Sequence, residues 1–451
     1  MRKFVFPALL ALNACMPVSY SDIPTRAIAS QAALPAMKVF STPHPVRTVK
    51  SNADLAQDFL ALGFALESGK LLPIFTRFDG PITVRVTGAP PASLSPDLNR
   101  LITRLRSEAG IDISRISGQQ ANITIQAVAR DDIRRTIPDA ACFVVPNVSS
   151  LDEYRHMRWS SRTSWSTLQK REKLAIFLPN DASPQEARDC LHEELAQAIG
   201  PLNDLYRLPD SVFNDDNVHT VLTGFDMLML RAYYAPELQN GMTRAQVAAR
   251  LPQVFARINP AGRGLPATRV SETPRAWSDA VQTALGPGST PNQRRAAAAQ
   301  TLAIAAQMGW TDHRLAFAHY ANGRLLMNSD PQAAQQHFAL ADRYYAATPG
   351  AELHRAYVAT QLAAFAISRG EGAQALALVD PYLDLAAQSE NAALLSTLLM
   401  LRAEALELTG RDAEARTVRV DSLGWARYGF GPDWAVRAKE REIASLNPLN
   451  G

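Results

Sequence analysis

The chain has 451 residues, of which 47% are apolar and 20% charged. It is too long for one hydrophobic core and too apolar for a disordered chain, so two domains are expected and collagen, coiled-coil and low-complexity classes are excluded. Forty-six basic against 43 acidic residues leave a net charge of +3, well short of the concentrated positive field that a phosphate backbone requires, so no nucleic-acid partner is expected.

Arg2 and Lys3 precede an apolar run from Phe4 to Leu12, which is too short to span a bilayer as a helix and reads as an export signal. The run ends in Leu12-Asn13-Ala14-Cys15, which resembles the lipobox of bacterial lipoproteins. That resemblance implies a signal peptide over 1–15 and acylation of Cys15; a plain secretory signal cut nearby is the alternative. Met16 follows the cysteine, where an aspartate would imply inner-membrane retention, so the expected location is the periplasmic side of a bacterial cell envelope, with the outer membrane favoured. The membrane partner is then reached only through the lipid anchor, and stable anchoring takes more than one acyl chain. If Cys15 carries lipid, Cys142 and Cys190 are left as an even pair in an oxidising compartment. Either they form a disulfide or they are two buried free thiols.

Residues 16–50 are rich in Pro, Ser, Thr and Ala without an apolar period and read as a flexible tether. Leu55, Phe59, Leu62 and Leu66 lie at helical spacing within Asp54 to Glu67, which predicts a first amphipathic helix. Ile82, Val84 and Val86 alternate in a strand over Pro81 to Gly88, and a helix is expected from Pro96 to Ala109. Three β-prone runs follow at Ile123 to Val128, Ala141 to Val145 and Leu174 to Leu178. Ser183-Pro184-Gln185-Glu186 then predicts a helix start with a capping serine, a first-turn proline and a capping box through Glu186, and Gly200-Pro201 predicts its end. This order describes an α+β domain with one mixed sheet over 51–260.

A Pro- and Gly-rich stretch over 261–292 reads as an interdomain linker. Residues 293–446 are Ala- and Leu-rich and helical in pattern. Ala334-x-x-x-Phe338-x-x-Ala341 matches the second helix of a tetratricopeptide repeat, and Ala334, Ala375 and Ala415 recur at intervals of 41 and 40. A tetratricopeptide-like helical array is expected, with an ordinary helical bundle as the alternative.

One segment carries candidate chemistry. His192-Glu193-Glu194-Leu195-Ala196-Gln197 invites comparison with His-Glu-x-x-His, but the second ligand position read from His192 is Ala196, whose methyl cannot bind metal. Shifted by one residue, Glu193, Glu194, Gln197, Gly200 and Asn203 fall at the spacing His-Glu-x-x-His-x-x-Gly-x-x-His, which resembles the metzincins and matrixins in particular. Ser211-Val212-Phe213 resembles their methionine turn. The resemblance covers about Arg77 to Phe213. It implies Glu194 as general base, and Glu193, Gln197 and Asn203 where three imidazoles normally bind zinc. One carboxylate and two amide oxygens suit a hard divalent cation better than zinc, so high-affinity zinc is not expected, while another divalent metal stays open as cofactor.

On a helical wheel Glu194 lies at the margin of the buried stripe of Ala187, Leu191, Leu195 and Ala198, so it is either an acid/base group or a buried glutamate paired with a nearby Arg or His. His192 is a second catalytic candidate or a hydrogen-bonded helix-edge histidine. Asp215, Asp216 and His219 could add metal ligands, Asp215 and His219 being four apart if that stretch is helical; a solvated turn or helix cap is the alternative. Trp159, Trp165 and the arginines between Arg155 and Arg171 read as a solvated basic loop.

Glu193 to Gly200 carries Glu-Glu-x-x-Gln-x-x-Gly, and the whole resembles an uncharacterised family of bacterial envelope proteins with a zincin-like domain of unknown function. The resemblance implies a fold and an envelope location, not a substrate; the substituted ligand positions and the repeat-like tail lead to the expectation of a lipid-anchored protein whose degenerate metalloprotease-like domain binds peptides or envelope proteins. A metal-dependent hydrolase using Glu194, and a scaffold acting through its helical half, are the other two readings.

Overall fold

In the computed structural model, which describes residues 33–40, 48–118, 120–138, 140–268 and 270–450, Ser51 opens α1 (Asn52–Gly63) by accepting a hydrogen bond from the Asp54 amide. The signal segment and Cys15 lie outside the described residues. Leu55, Phe59 and Leu62 fill the buried side of α1. The helix stops at Gly63, short of the expected Glu67, and at Gly63 a Cβ would stand 2.3 Å from the Tyr233 hydroxyl, so glycine lets α1 pack closely on that ring. The chain then reverses in a tight turn, with the Leu66 amide donating to the Lys70 carbonyl and Gly69 at a φ of 79° that favours glycine. Glu67 is carried on that turn.

Next come β1 (Ile82–Gly88), α2 (Leu94–Glu108), β2 (Ile113–Arg115), β3 (Ile123–Val128), α3 (Arg130–Thr136), β4 (Phe143–Pro146), α4 (Leu151–Met157) and β5 (Leu174–Pro179). The expected strands are present. The additional β2 has three residues, too few for alternation to show in the sequence. The sheet order is β2-β1-β3-β5-β4, with β4 antiparallel and the other pairings parallel. A parallel sheet is covered on both faces, and β5 is buried at every position. Its alternation sorts the two cores: Leu174, Ile176 and Leu178 face one cluster with Leu98 and Leu101 of α2, whereas Ala175 and Phe177 face another with Ile133 and Leu151. The β4 pairing of Phe143 with Phe177 and Val145 with Ala175 places those side chains in the second core.

Helix α5 (Pro184–Ile199) starts and ends where the sequence indicates, with Ser183 accepting from the Glu186 amide. The Glu186 side chain does not complete the expected box; both its oxygens are held by the Arg130 guanidinium at 2.6 and 2.9 Å, a stronger bidentate partner than an amide. Cys142, just before β4, is joined to Cys190 of α5 in a disulfide, with the Cα atoms 5.9 Å apart. Helices α6 (Gly224–Tyr233) and α7 (Arg244–Ile258) complete the first region.

The stretch read as a linker contains α8 (Arg275–Leu285). Its Trp277 is fully buried, edge-on to Tyr206 and packed near Trp310 and Phe317. The prolines and glycines there terminate elements, as at Pro260 to Gly262 and Gly286 to Gly288, without separating domains. Helices α9 (Pro291–Gln307), α10 (His313–Leu326), α11 (Pro331–Ala346), α12 (Glu352–Ser368), α13 (Gly372–Val379), α14 (Leu383–Gln388), α15 (Ala392–Leu408), α16 (Asp412–Phe430) and α17 (Asp433–Ala444) follow. Ala334, Phe338, Ala341, Ala375 and Ala415 are all fully buried. At Gly323 a Cβ would meet the Phe338 ring at 2.8 Å, so α10 and α11 approach closely through a missing side chain.

Part of the stretch read as tether is also packed. The Lys38 amide donates to the Gly424 carbonyl at 3.0 Å, Arg427 donates to the Pro35 carbonyl at 2.9 Å, and Phe40 stacks on Trp425. Residues 35–40 therefore lie along α16. No helix among the described residues is long and apolar enough to cross a membrane.

Candidate functional site

Helix α5 divides its polar side chains between two faces. At about 100° per residue, Glu193 and Gln197 lie on neighbouring lines while His192 and Glu194 diverge by about 160°. The C-terminal turn is held by Arg171, whose guanidinium donates to the carbonyls of Gln197, Ala198 and Gly200 at 2.7, 2.9 and 2.6 Å. A cation at the negative end of the helix satisfies carbonyls that have no intrahelical partner. Arg171 is buried and faces the Trp165 ring, so it departs from the expected solvated basic loop.

On the Glu193 face, carboxyls gather from separate parts of the chain. Glu67 comes from the turn after α1, Glu193 and Glu194 from α5, Asp204 from the loop behind it, and Asp215 from the Asn214 to Asn217 turn. Glu194 is 5% exposed and its Oε2 has no hydrogen-bond partner; Asp204 likewise has an unpartnered, inaccessible Oδ1. Glu67 and Asp215 are exposed. Burial, reinforced by Glu67 and Asp215, pushes Glu193 up to about 7. Burial with the Glu67 and Asp216 charges pushes Asp215 up to about 6. Burial first, then Glu193 and Glu67, hold Glu194 and Asp204 well above the usual carboxylate range. The charges shifting Glu193 and Glu194 are all carboxylates. Among the described residues, no Lys, Arg or His side chain pairs with any of the five.

The positions suggested by the metzincin spacing are only partly brought together. Gln197 adjoins the carboxyl group and donates to Glu67 at 3.1 Å. Asn203 donates to the Ala61 carbonyl of α1 at 3.0 Å, and its neighbour Asp204 joins the cluster. Among the described residues, no three His, Cys, Asp or Glu side chains are grouped so as to hold a metal ion. With only carboxyl and amide oxygens at these positions and no imidazole or thiolate beside them, the residues present do not fit zinc.

His192 stands apart from the carboxyls. Its Nδ1 accepts from the Leu222 amide at 3.0 Å, and burial together with Arg188, Arg104 and Arg100 keeps its pKa well below normal. This is the hydrogen-bonded helix-edge histidine of the alternative reading. The Asp215 to His219 stretch is a turn followed by extended chain, so the helical spacing required for a shared ligand face is absent. His219 Nε2 instead donates to the Pro209 carbonyl at 2.9 Å. The adjoining Ser211 to Phe213 turn is fastened by buried Asp226, which accepts from Ser211 Oγ at 2.5 Å and from the Val212 amide at 3.1 Å. Phe213 is fully buried in the core below α5.

A separate cavity of about 980 Å³ lies where α1 and α6 meet α10, α12 and α14, with Lys50, Arg207, Asp210, Phe225, Leu265 and Glu352 among its lining residues. Lys50 reaches Asp210 at 2.9 Å and lies over the Phe225 ring. None of the five clustered carboxyls lines it.

Glu67, Asp204 and Asp226 were not singled out from the sequence, and Arg171 was read only as part of a solvated basic loop. Only Asp204, directly after Asn203 and close to the Gly200 spacing, had a local signal. No curated protein and no solved structure matches the chain. Residues 52–253, which hold the sheet, α5 and all five clustered carboxyls, match a family described as a protein of unknown function, DUF2927.

Proposed function

We propose that the chain is a lipid-anchored envelope protein in which residues 51–260 are a degenerate zincin-like domain that binds polypeptide, with a tetratricopeptide-like helical region from 293 to 446 as a second docking surface. The observation carrying this reading is the use of the two amides at the ligand positions: Gln197 serves Glu67 and Asn203 serves Ala61. Both amide nitrogens are turned to protein acceptors, and the neighbouring side chains offer carboxyl oxygens rather than the nitrogen donors that zinc favours. The strand, helix and strand order ahead of α5 agrees with the metzincin resemblance, while the chemistry of the residues argues against zinc hydrolysis. The 980 Å³ cavity at the edge of the helical region is at the upper end of the range for small-ligand sites. Elemental analysis of protein purified without chelator, together with a peptidase assay, tests the reading. Substoichiometric zinc and no chelator-sensitive cleavage are expected; stoichiometric zinc with chelator-sensitive cleavage overturns it.

The second reading is a working hydrolase, favoured by the burial of Glu194 and its unpartnered oxygen. Burial and the neighbouring Glu193 and Glu67 raise its proton affinity, which suits a group that acts first as an acid. For that reading Glu194→Gln should abolish turnover while the melting temperature stays at or above that of the parent.

A further inference from the structure

The cavity of about 980 Å³ is far larger than a packing defect, because protein interiors keep few voids bigger than a water molecule. Its lining comes from both regions of the chain, chiefly from residues 48–58 and 207–225 on one side and 311–313, 347–353 and 385–390 on the other. The two sides are tied together beside it. His313 donates to the Tyr206 carbonyl at 2.6 Å, Glu390 is ion-paired with Arg188, and His354 lies 2.8 Å from Asp216. The space therefore has fixed walls, and a ligand that enters it meets a site needing little further ordering.

Net charge does not select the occupant, because the ionic groups of the lining are already committed within the chain. Lys50 reaches Asp210 at 2.9 Å, and Arg207 is ion-paired with Asp58. Arg104 donates to Glu108, Asp312 accepts from Arg314, and Asp54 accepts from the Thr268 amide. Glu352 is exposed to solvent.

What remains is a mixture of apolar and neutral hydrogen-bonding groups. Val49 and Leu265 are 82% and 40% exposed, large apolar side chains left uncovered in the lining, where an apolar partner would cover them. Gln57 of α1, Thr311 ahead of α10 and Gln388 of α14 are also exposed. Among the described residues their side chains make no hydrogen bond, so accessible donors and acceptors stand on several sides of the space. An acyl chain carries no polar group along its length. A polypeptide presents an N–H and a C=O at nearly every residue beside its side chains, which matches polar groups spread among apolar ones.

We infer that this cavity binds an apolar segment of a polypeptide, with Val49 and Leu265 covering its side chains and the neutral polar groups meeting its backbone. This rests on the polypeptide-binding reading above; it places the binding in one site shared by the two regions and names the chemistry selected.

The test uses the full chain, the uncharged fluorescent probe N-phenyl-1-naphthylamine and two blocked peptides, acetyl-Gln-Leu-Ala-Leu-Gln-amide and acetyl-Gln-Ser-Ala-Ser-Gln-amide. Calorimetric titration should show the leucine peptide binding roughly tenfold or more tightly than the serine peptide, the scale of burying one leucine side chain, and the leucine peptide should displace the probe. Val49→Glu and Leu265→Glu should each weaken the leucine peptide by about tenfold at an unchanged melting temperature, since a charge at an apolar contact is desolvated on binding. If either variant melts lower than the parent, Gln388→Ala takes its place and should weaken the peptide roughly threefold or more. Equal affinity for the two peptides, or binding indifferent to these variants, overturns this inference and leaves the polypeptide reading standing. Displacement of the probe by decanol and not by the leucine peptide overturns it in favour of an acyl-chain site. If neither these peptides nor a tryptic digest of a soluble protein binds, the polypeptide reading fails as well.

Discussion

The Nε2 of His354 in α12 lies 2.8 Å from a carboxylate oxygen of Asp216, and both side chains are almost completely buried. Asp216 also accepts from the Asn214 amide side chain and the Val218 backbone, so one carboxyl fixes the turn bearing Asp215 and ties it to the helical region. Removing one partner of a buried pair leaves the other uncompensated. Asp216→Ala should therefore cost about 3 kcal/mol, read as a lower urea midpoint at an unchanged slope. A loss within error of zero would show that the pair does not hold this junction.

The Cys142–Cys190 bridge closes a segment with a sequence separation of 48, which restricts the unfolded chain by about 4 kcal/mol in the entropic picture. The Cys142→Ser, Cys190→Ser double variant should unfold at markedly lower denaturant than the oxidised parent, and reductant should narrow the gap. Indifference to reductant would mean that the thiols are free in solution.

Glu193 is raised to about 7 against an ordinary value near 4.5. The folded protein therefore holds a proton that the unfolded chain releases, so the stability this group contributes is present below about pH 4.5 and is lost as pH rises through about 7. Glu193→Gln should be more stable than the parent at pH 8 and little different at pH 4, as measured by melting temperature across that range. An equal difference at both ends would refute the assignment.

His313 works in the opposite direction. Its Nε2 donates to the Tyr206 carbonyl at 2.6 Å, its Nδ1 has no partner, and burial lowers its pKa to about 4 from 6.5. The unfolded chain gains a proton first, so stability is present above about pH 6.5 and falls as pH drops toward 4. Imidazole resonances followed by NMR should show this ring neutral at pH 5.5; a normal titration midpoint there would contradict its burial.

Cutting the chain after Pro260 should not release a folded first region. Gln185 of α5 donates to Asn391 at 3.1 Å, and Ser183 donates to the Gly429 carbonyl at 3.2 Å. Arg188, 3% exposed, is ion-paired with Glu390. The truncated protein should expose this face and its unpaired arginine, and be aggregated or rapidly degraded by protease. A monomeric fragment with a cooperative melt would show that the two regions fold separately.

The sheet and α5 were legible because their signals are local. The apolar, β-prone run of Leu174 to Leu178 and the Ser183-Pro184 start depend on neighbours a few residues away. The linker reading failed because Pro and Gly mark the end of an element whether or not a domain follows; Trp277 shows that packing continued through that stretch. His192 and Glu194 were both ambiguous in the sequence, and what separated them was the Leu222 amide for one and an unpartnered, buried Oε2 for the other.

The amino-acid sequence alone determined the strands, the boundaries of α5 and the oxygen-bearing side chains at Glu193, Gln197 and Asn203, since propensity, capping and residue identity travel with the chain. Only the tertiary structure decided that Glu67, Asp204 and Asp215 join Glu193 and Glu194, that Cys142 meets Cys190, and that Asp216 meets His354. Those encounters depend on how helices and loops pack across long separations, and the burial that shifts a carboxyl's proton affinity arises only once that packing has excluded water.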